Sequence, residues 1–282
     1  MKRKTTDMPE IGIVETKKIL REIQQKYGYD FSQYSPMAFR FALDNSIMLH
    51  HLKYPELLSS RILEDDDFFD EFLFEITDTH IELFRDPETW KVISRDVIPE
   101  LLISFTKPQI WFPGASNGQD LFSFLILLQI VFPKLTFEAG ISCIAEKTIS
   151  RLSGGIIPLR QIETSIENFE KIFPENDIYK YIKNNGKDYA IDHSLLKNVS
   201  FFRQNLNFES VPSHTNLLFF RNNLLVYTPE HKEKVLDQLI SIIDEGGFFI
   251  TGIKDNLDDY ISNKKNLTVY NSSEKIFRKI KT

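Results

Sequence analysis

The chain has 282 residues, 42% of them apolar and 26% charged, which excludes wholesale disorder and allows one large domain or two small ones. With 34 Lys and Arg against 40 Asp and Glu, the formal net charge of −6 removes the overall electrostatic case for a nucleic-acid or anionic-membrane partner. The single cysteine, Cys143, excludes an internal disulfide and a multi-thiolate metal site, and suits a reducing compartment. No run approaches the ~18 apolar residues of a membrane span. The richest, Leu121 to Phe132, contains Ser123 and Gln129 and reads as a buried helix. The basic start, Met1 to Lys4, is not followed by an apolar segment, so no secretory signal and a cytoplasmic location are expected.

The first hundred residues read as helical. Ile19, Leu20, Ile23 and Tyr27 recur at three- and four-residue spacing, and Gly28 follows as a C-cap. After a turn at Ser32 to Pro36, a second helix is expected from Met37 to about His51, and a third from Pro55. The acids Glu64 to Asp67 introduce the apolar run Phe68 to Ile76, as carboxylates do at the positive end of a helix. Asp86-Pro87-Glu88 reads as a cap with proline at N1, opening a helix to about Phe105. His50, His51 and His80 lack a His-x-x-x-His pair, so no metal site is expected.

From Lys107 the pattern changes to strand, glycine turn and helix in alternation. Ile110 to Phe112 is a short strand, followed by the turn Pro113 to Gly118 and a helix. Leu135 to Ile144 is a second strand, with a helix to Leu152 and a break at Gly154-Gly155. Asn216 to Phe220, a helix from Glu230 to Asp244, the break Gly246-Gly247 and the strand Phe248 to Thr251 complete the pattern. Such alternation predicts an open, mostly parallel sheet with helices on its faces. The turn cluster Lys183 to Lys187 predicts a small β-hairpin inserted within about residues 161–198. The expected organisation is α/β: a helical N-terminal domain over residues 1–105 and a Rossmann-like domain over 106–282.

The turn Pro113-Gly114-Ala115-Ser116-Asn117-Gly118 lies where ligands bind in open α/β sheets, beyond the carboxyl end of a strand. It is neither G-x-G-x-x-G nor a P-loop, so pyrophosphate binding is poorly supported. With Gln119, Asp120 and the preceding Ile110-Trp111-Phe112, it resembles the Trp-Ser-Ala-Gly-Cys-Ser-Thr-Gly-Glu-Glu-Pro-Tyr-Ser motif of the CheR-type chemotaxis receptor methyltransferases. Leu218 to Tyr227 is similar to that family's Ile-Phe-Cys-Arg-Asn-Val-Leu-Ile-Tyr-Phe, and Glu82 to Pro87 to its Phe-Phe-Arg segment. Tyr29-Asp30-Phe31, Gly155 to Pro158, Val199 to Phe201 with Asn205 and Leu206, and Ile276 to Lys279 match further elements in order.

The resemblance implies a Rossmann-like S-adenosylmethionine-dependent methyltransferase domain, an all-helical N-terminal domain and a small inserted β-subdomain. It implies methyl transfer from S-adenosylmethionine to glutamate carboxylates of a chemoreceptor-like signalling protein, leaving S-adenosylhomocysteine as product. Gly114, Ala115, Gly118, Asp120, Cys143, Asn205, Leu206, Arg221 and Asn222 are thereby expected at the cofactor, with Arg85 and Tyr227 as the catalytic pair. Arg221 or Arg85 is a candidate to pair a carboxylate of the cofactor.

The chain departs from the family at several of these positions. Cys143 stands where the family keeps the acid that binds the cofactor ribose, unless the register slips to Glu146. Tyr227 lies one residue past the family's tyrosine, a position held here by Val226, and Ile81 replaces a threonine. Arg40 is the one arginine on a helix that is arginine-rich in the family, and the insertion that docks a receptor pentapeptide is missing. A pentapeptide tether is therefore not expected. The same losses leave a second reading open, a catalytically silent relative that binds the cofactor or serves as a scaffold.

Overall fold

The computed structural model describes residues 11–280 apart from positions 33, 78–81, 116–117, 159–161, 205–210 and 265. Contacts divide the chain into two compact units, one running to Thr77 and including Val226–His231, the other formed by Asp78–Leu225 and Lys232–Thr282. The first contains α1 (Ile13–Tyr27), α2 (Pro36–Leu49), α3 (Pro55–Glu64) and α4 (Asp66–Thr77). Gly28 ends α1 in the left-handed region at φ 76° and returns its N–H to the carbonyl of Gln24, as expected of the glycine at that spacing. The apolar faces of these helices meet in a core of Ile19, Ile23, Phe39, Leu43, Leu58, Ile62, Phe69 and Phe72.

The second unit opens with α5 (Pro87–Val92), a π-helical turn (Ile93–Val97) and α6 (Ile98–Ser104). Pro99 lacks an N–H and its ring crowds the preceding turn, which accounts for the widened ladder just before it. These segments were expected to close the helical domain near residue 105. In the structure they belong to the sheet-containing unit: Trp90 stacks on Phe219 at 5.9 Å, and Ile93, Val97, Ile98 and Leu101 join its core. The division falls at Thr77 because burial follows this aromatic contact rather than the change of sequence texture.

Next come β1 (Gln109–Phe112), α7 (Gln119–Val131), β2 (Glu138–Cys143), α8 (Glu146–Ser153), β3 (Ile156–Pro158) and α9 (Ile162–Ile172). They are followed by β4 (Ile182–Asn184), β5 (Asp188–Ile191), β6 (Val199–Arg203) and β7 (Thr215–Phe220). The chain ends with α10 (Pro229–Ser241), β8 (Ile243–Thr251), α11 (Asp258–Lys264), β9 (Leu267–Asn271) and β10 (Ile276–Lys279). The main sheet has seven strands in the order β6-β2-β1-β7-β8-β10-β9, parallel through β8 with an antiparallel β10–β9 edge. A separate three-stranded sheet, β3-β5-β4, contains the expected hairpin. Gly246 and Gly247 were expected as a break before a strand. They lie inside β8, which advances five residues, Ile243 to Phe248, against two on β7, Thr215 to Leu217, and this irregularity with φ 83° at Gly246 takes up the difference.

Strand order reverses between β2 and β7 on either side of β1, which makes the carboxyl end of β1 the crevice where an α/β sheet takes its ligand. Helix α7 is apolar on every side, and all residues from Leu121 to Leu128 are buried. That burial anchors the turn preceding it. Among the described residues, no helix is long and apolar enough to cross a membrane.

Candidate functional site

A small open cleft lies at the carboxyl ends of β1, β2 and β7, against the start of α7. Phe112, Ile141 and Phe219 form its apolar lining, and Gln119, Asp120, Arg221 and Asn223 its polar one. The turn between β1 and α7 is tied to the end of β2. Ala115 donates its N–H to the carbonyl of Ser142 at 2.7 Å, and Gly114 donates to the Ser142 hydroxyl at 3.3 Å. Gly114 and Gly118 both have positive φ, at 61° and 71°. At Gly118 a Cβ would stand 2.3 Å from Leu152 Cδ2 of α8, so a larger residue there would carry left-handed strain and have to displace the Leu152 side chain.

Beside the cleft, the Arg221 side chain is 1% exposed and carries two ion pairs: Nη1 with Asp120 and Nη2 with Asp86, each at 2.7 Å. Nη2 also donates to the Arg85 carbonyl at 3.0 Å, and the guanidinium stands 5.6 Å from the Trp90 ring centroid. Arg221 was expected as a fork for a cofactor carboxylate. Both terminal nitrogens are instead committed within the protein, because Asp86 and Asp120 reach it from two different elements. Two carboxylates on one guanidinium leave this corner with a net negative charge, which favours a cationic ligand.

Asp86 was expected to cap α5 through its side chain. It makes no such cap bond, since its carboxylate is drawn to Arg221. Arg85 is held between two left-handed residues, Phe84 at φ 54° and Asp86 at φ 58°. Neither is glycine, and φ in this region costs such residues about 1–3 kcal/mol. The fully buried Phe84, wedged edge-on against Trp90, Phe169 and Phe173, supplies the packing that maintains the strain. Arg85 Nε lies 3.5 Å from Glu82, while its Nη1 is buried without a hydrogen-bond partner among the described residues.

The remaining expected residues fall in different places. Cys143 is the last residue of β2 and is 2% exposed, so the strand end carries a buried thiol and no carboxylate there. Glu146, the alternative acid, is exposed in the first turn of α8. Asn222 is left-handed at φ 59° and gives its N–H to Asp255. Tyr227 belongs to the helical unit, where it forms an isolated bridge with Tyr34, their rings 5.1 Å apart. Burial and the adjoining Tyr34 hydroxyl push its phenol well above the usual range. Asn205 and Leu206 lie outside the described residues, as do Ile81 and His80.

Gln119, Asn223 and Asp86 were not among the site residues expected from the sequence. Gln119 and Asn223 directly follow residues that were, and Gln119 Oε1 is buried with no hydrogen-bond partner among the described residues. An acceptor left open at the start of a helix, a turn with two glycines, Gly114 and Gly118, and a net negative corner together suit a cationic ligand carrying N–H donors.

Residues 79–275 match the family model described as CheR methyltransferase, SAM binding domain. A putative methyltransferase of Pseudomonas putida, Cher3, is 25% identical over 248 residues, covering 87% of this chain and 89% of that protein. A chemotaxis protein methyltransferase of Listeria monocytogenes is 21% identical over 234 residues, covering 82% and 86%. Among solved structures, N-methyltransferase NodS from Bradyrhizobium japonicum bound to S-adenosyl-L-homocysteine aligns over 80% of this chain and 98% of that one, with 10% identity and a TM-score of 0.38.

Proposed function

The chain belongs to the CheR methyltransferase family, and we propose that it methylates glutamate carboxylates of a chemoreceptor-like signalling protein. The observation that carries this reading is Arg85, strained between two left-handed residues, with a buried Nη1 that has no hydrogen-bond partner among the described residues. S-adenosylmethionine is the cofactor of the family's domain and, when bound, would supply a methyl group to an in-line carboxylate oxygen, the C–S bond breaking to leave the neutral thioether S-adenosylhomocysteine.

The chain's own contribution is positioning and electrostatics. Gly114, Ala115 and Gly118 let the backbone approach the cofactor closely, while Phe112, Ile141 and Phe219 exclude water from the cleft. Asp86 and Asp120, sharing Arg221, keep a negative field where a positive sulfonium is to be held. Arg85 pairs the acceptor carboxylate through Nη1, the donor left without a partner among the described residues. Glutamate is already ionised near neutral pH, so no general base is required. Tyr227, whose phenol stays protonated well past neutrality, serves the helical unit.

A cofactor-binding protein without transfer activity is the second reading, and Cys143 favours it. A buried thiol is a weak hydrogen-bond partner where the resembled family places its ribose-binding acid. The two readings separate in one series. Calorimetry with S-adenosylmethionine and S-adenosylhomocysteine is expected to show binding of both. Labelled methyl is then expected to pass to a receptor cytoplasmic fragment and to be released as methanol in alkali, as an ester is. Arg85→Ala is expected to lower transfer by roughly 100-fold and S-adenosylhomocysteine affinity by less than about threefold, since only the acceptor's partner is lost. Cofactor binding with no transfer to any receptor fragment selects the second reading.

A further inference from the structure

We propose that Asp255 is a positioning residue for the cofactor cleft, clamping the exit of β7 to the exit of β8. This rests on the reading of the cleft as the S-adenosylmethionine site. Asp255 is completely buried, and its Oδ2 accepts two main-chain N–H groups, from Asn222 at 2.9 Å and from Gly252 at 2.8 Å. One donor is the second residue after β7 and the other directly follows β8, so one oxygen joins the exits of two neighbouring strands.

The clamp bears on backbone that would not otherwise adopt this conformation. Asn222 is left-handed at φ 59°, and its neighbours on either side, Arg221 and Asn223, line the cleft. Relaxation of residue 222 would reorient both. The fit is close on the other side too. A Cβ at residue 252 would stand 2.3 Å from Asn222 Oδ1 and 2.8 Å from its main-chain nitrogen. Asp255 Oδ1 has no hydrogen-bond partner among the described residues, and burial pushes the carboxyl up against the effect of the two N–H donors. A carboxylate kept in such surroundings stabilises the fold poorly for its cost, but a single oxygen that takes two donors fixes an angle well.

Three variants test the clamp. Asp255→Asn retains an oxygen that accepts both N–H groups, whereas Asp255→Ala orphans them. Gly252→Ala keeps the carboxylate and displaces Asn222 sterically. In the free protein, Asp255→Ala is expected to speed amide hydrogen exchange of the segment 221–223 at least tenfold relative to Asp255→Asn. By calorimetry, well below each variant's melting temperature, Asp255→Ala and Gly252→Ala are expected to weaken S-adenosylhomocysteine at least tenfold, and Asp255→Asn less than threefold. Equal exchange in Asp255→Ala and Asp255→Asn overturns the clamp. Wild-type affinity in Gly252→Ala overturns its bearing on the cleft, even where Asp255→Ala fails to fold. The exchange difference between the two Asp255 variants, together with a wild-type protein that binds neither cofactor form, removes the cofactor reading and the positioning role, and leaves the clamp as structure.

Discussion

Arg221 illustrates how a residue recognised from a motif acquires a different role once its neighbours are known. The Arg-Asn pair after an apolar strand is legible in the sequence, but Asp86 and Asp120 lie 135 and 101 residues away from Arg221, so no local pattern discloses their convergence. Removing the guanidinium leaves two close carboxylates without a cation. Arg221→Met is therefore expected to cost about 3–5 kcal/mol of stability, read as a lowered urea midpoint at unchanged slope. Arg221→Lys is expected to recover less than half of that, because an ammonium cannot present a planar fork to both acids. Cys143 presents the converse case: its address at the end of β2 is correct, while the chemistry expected there is altered by the residue itself. Cys143→Asp is expected to tighten S-adenosylhomocysteine about tenfold by adding a charged acceptor, and to lower the melting temperature of the free protein through burial of that charge. Calorimetry and thermal denaturation read the two effects separately. Unchanged affinity would place the ribose acid elsewhere in the chain.

Elements with local signals at both ends were the most legible. Helix α1 starts after Gly12 and stops at Gly28, and α5 opens on a proline, each set by chemistry within a turn of the boundary. Helix α9 was not anticipated, because its apolar residues, such as Phe169, pack on Phe84 from a distant segment. Likewise β8 runs through two glycines because β7 supplies a long parallel partner whose register an irregularity can adjust. The β1–α7 connection combines both kinds of information, since the glycine spacing is local but Leu152 comes from α8. Gly118→Ala is expected to cost about 2–4 kcal/mol, from left-handed strain together with the clash against Leu152. Leu152→Ala in the same chain is expected to relieve the steric share and leave the backbone share. Melting temperatures of the two single variants and the double variant measure that coupling, and strict additivity would show that the contact with α8 does not govern the turn.

At the scale of the whole molecule, the α/β class and the helical start were legible because alternation of strand, glycine and helix is a property of composition along the chain. The division at Thr77 was not, because it depends on Trp90 reaching Phe219 and on Val226–His231 returning to the helical unit. That returning segment gives Tyr34 its bridge partner and takes the Ser35 N–H onto the Val226 carbonyl at 2.8 Å. Tyr227 is one of several phenols that both units hold in the protonated form. Burial pushes Tyr227 well up, with Tyr34 adding to the shift; burial and the bond to Asp237 raise Tyr260; and burial with Glu100 pushes Tyr270 up to about 12. In the unfolded chain each ionises near pH 10. A folded-state pKa above the unfolded one means that, past about pH 10, the unfolded state binds fewer protons than the folded state, so stability falls as pH rises. The contribution is complete below pH 10 and is lost progressively as pH rises through the folded-state values. The urea midpoint is therefore expected to hold between about pH 8 and 9.5 and to fall steadily from about pH 10 to 11.5. Tyrosinate absorbance of the folded protein should appear at higher pH than that of the urea-unfolded chain. Tyr270→Phe should flatten part of the fall without changing the midpoint's pH dependence below 9.5, whereas coincident tyrosinate titrations in the two states would remove these phenols as its cause.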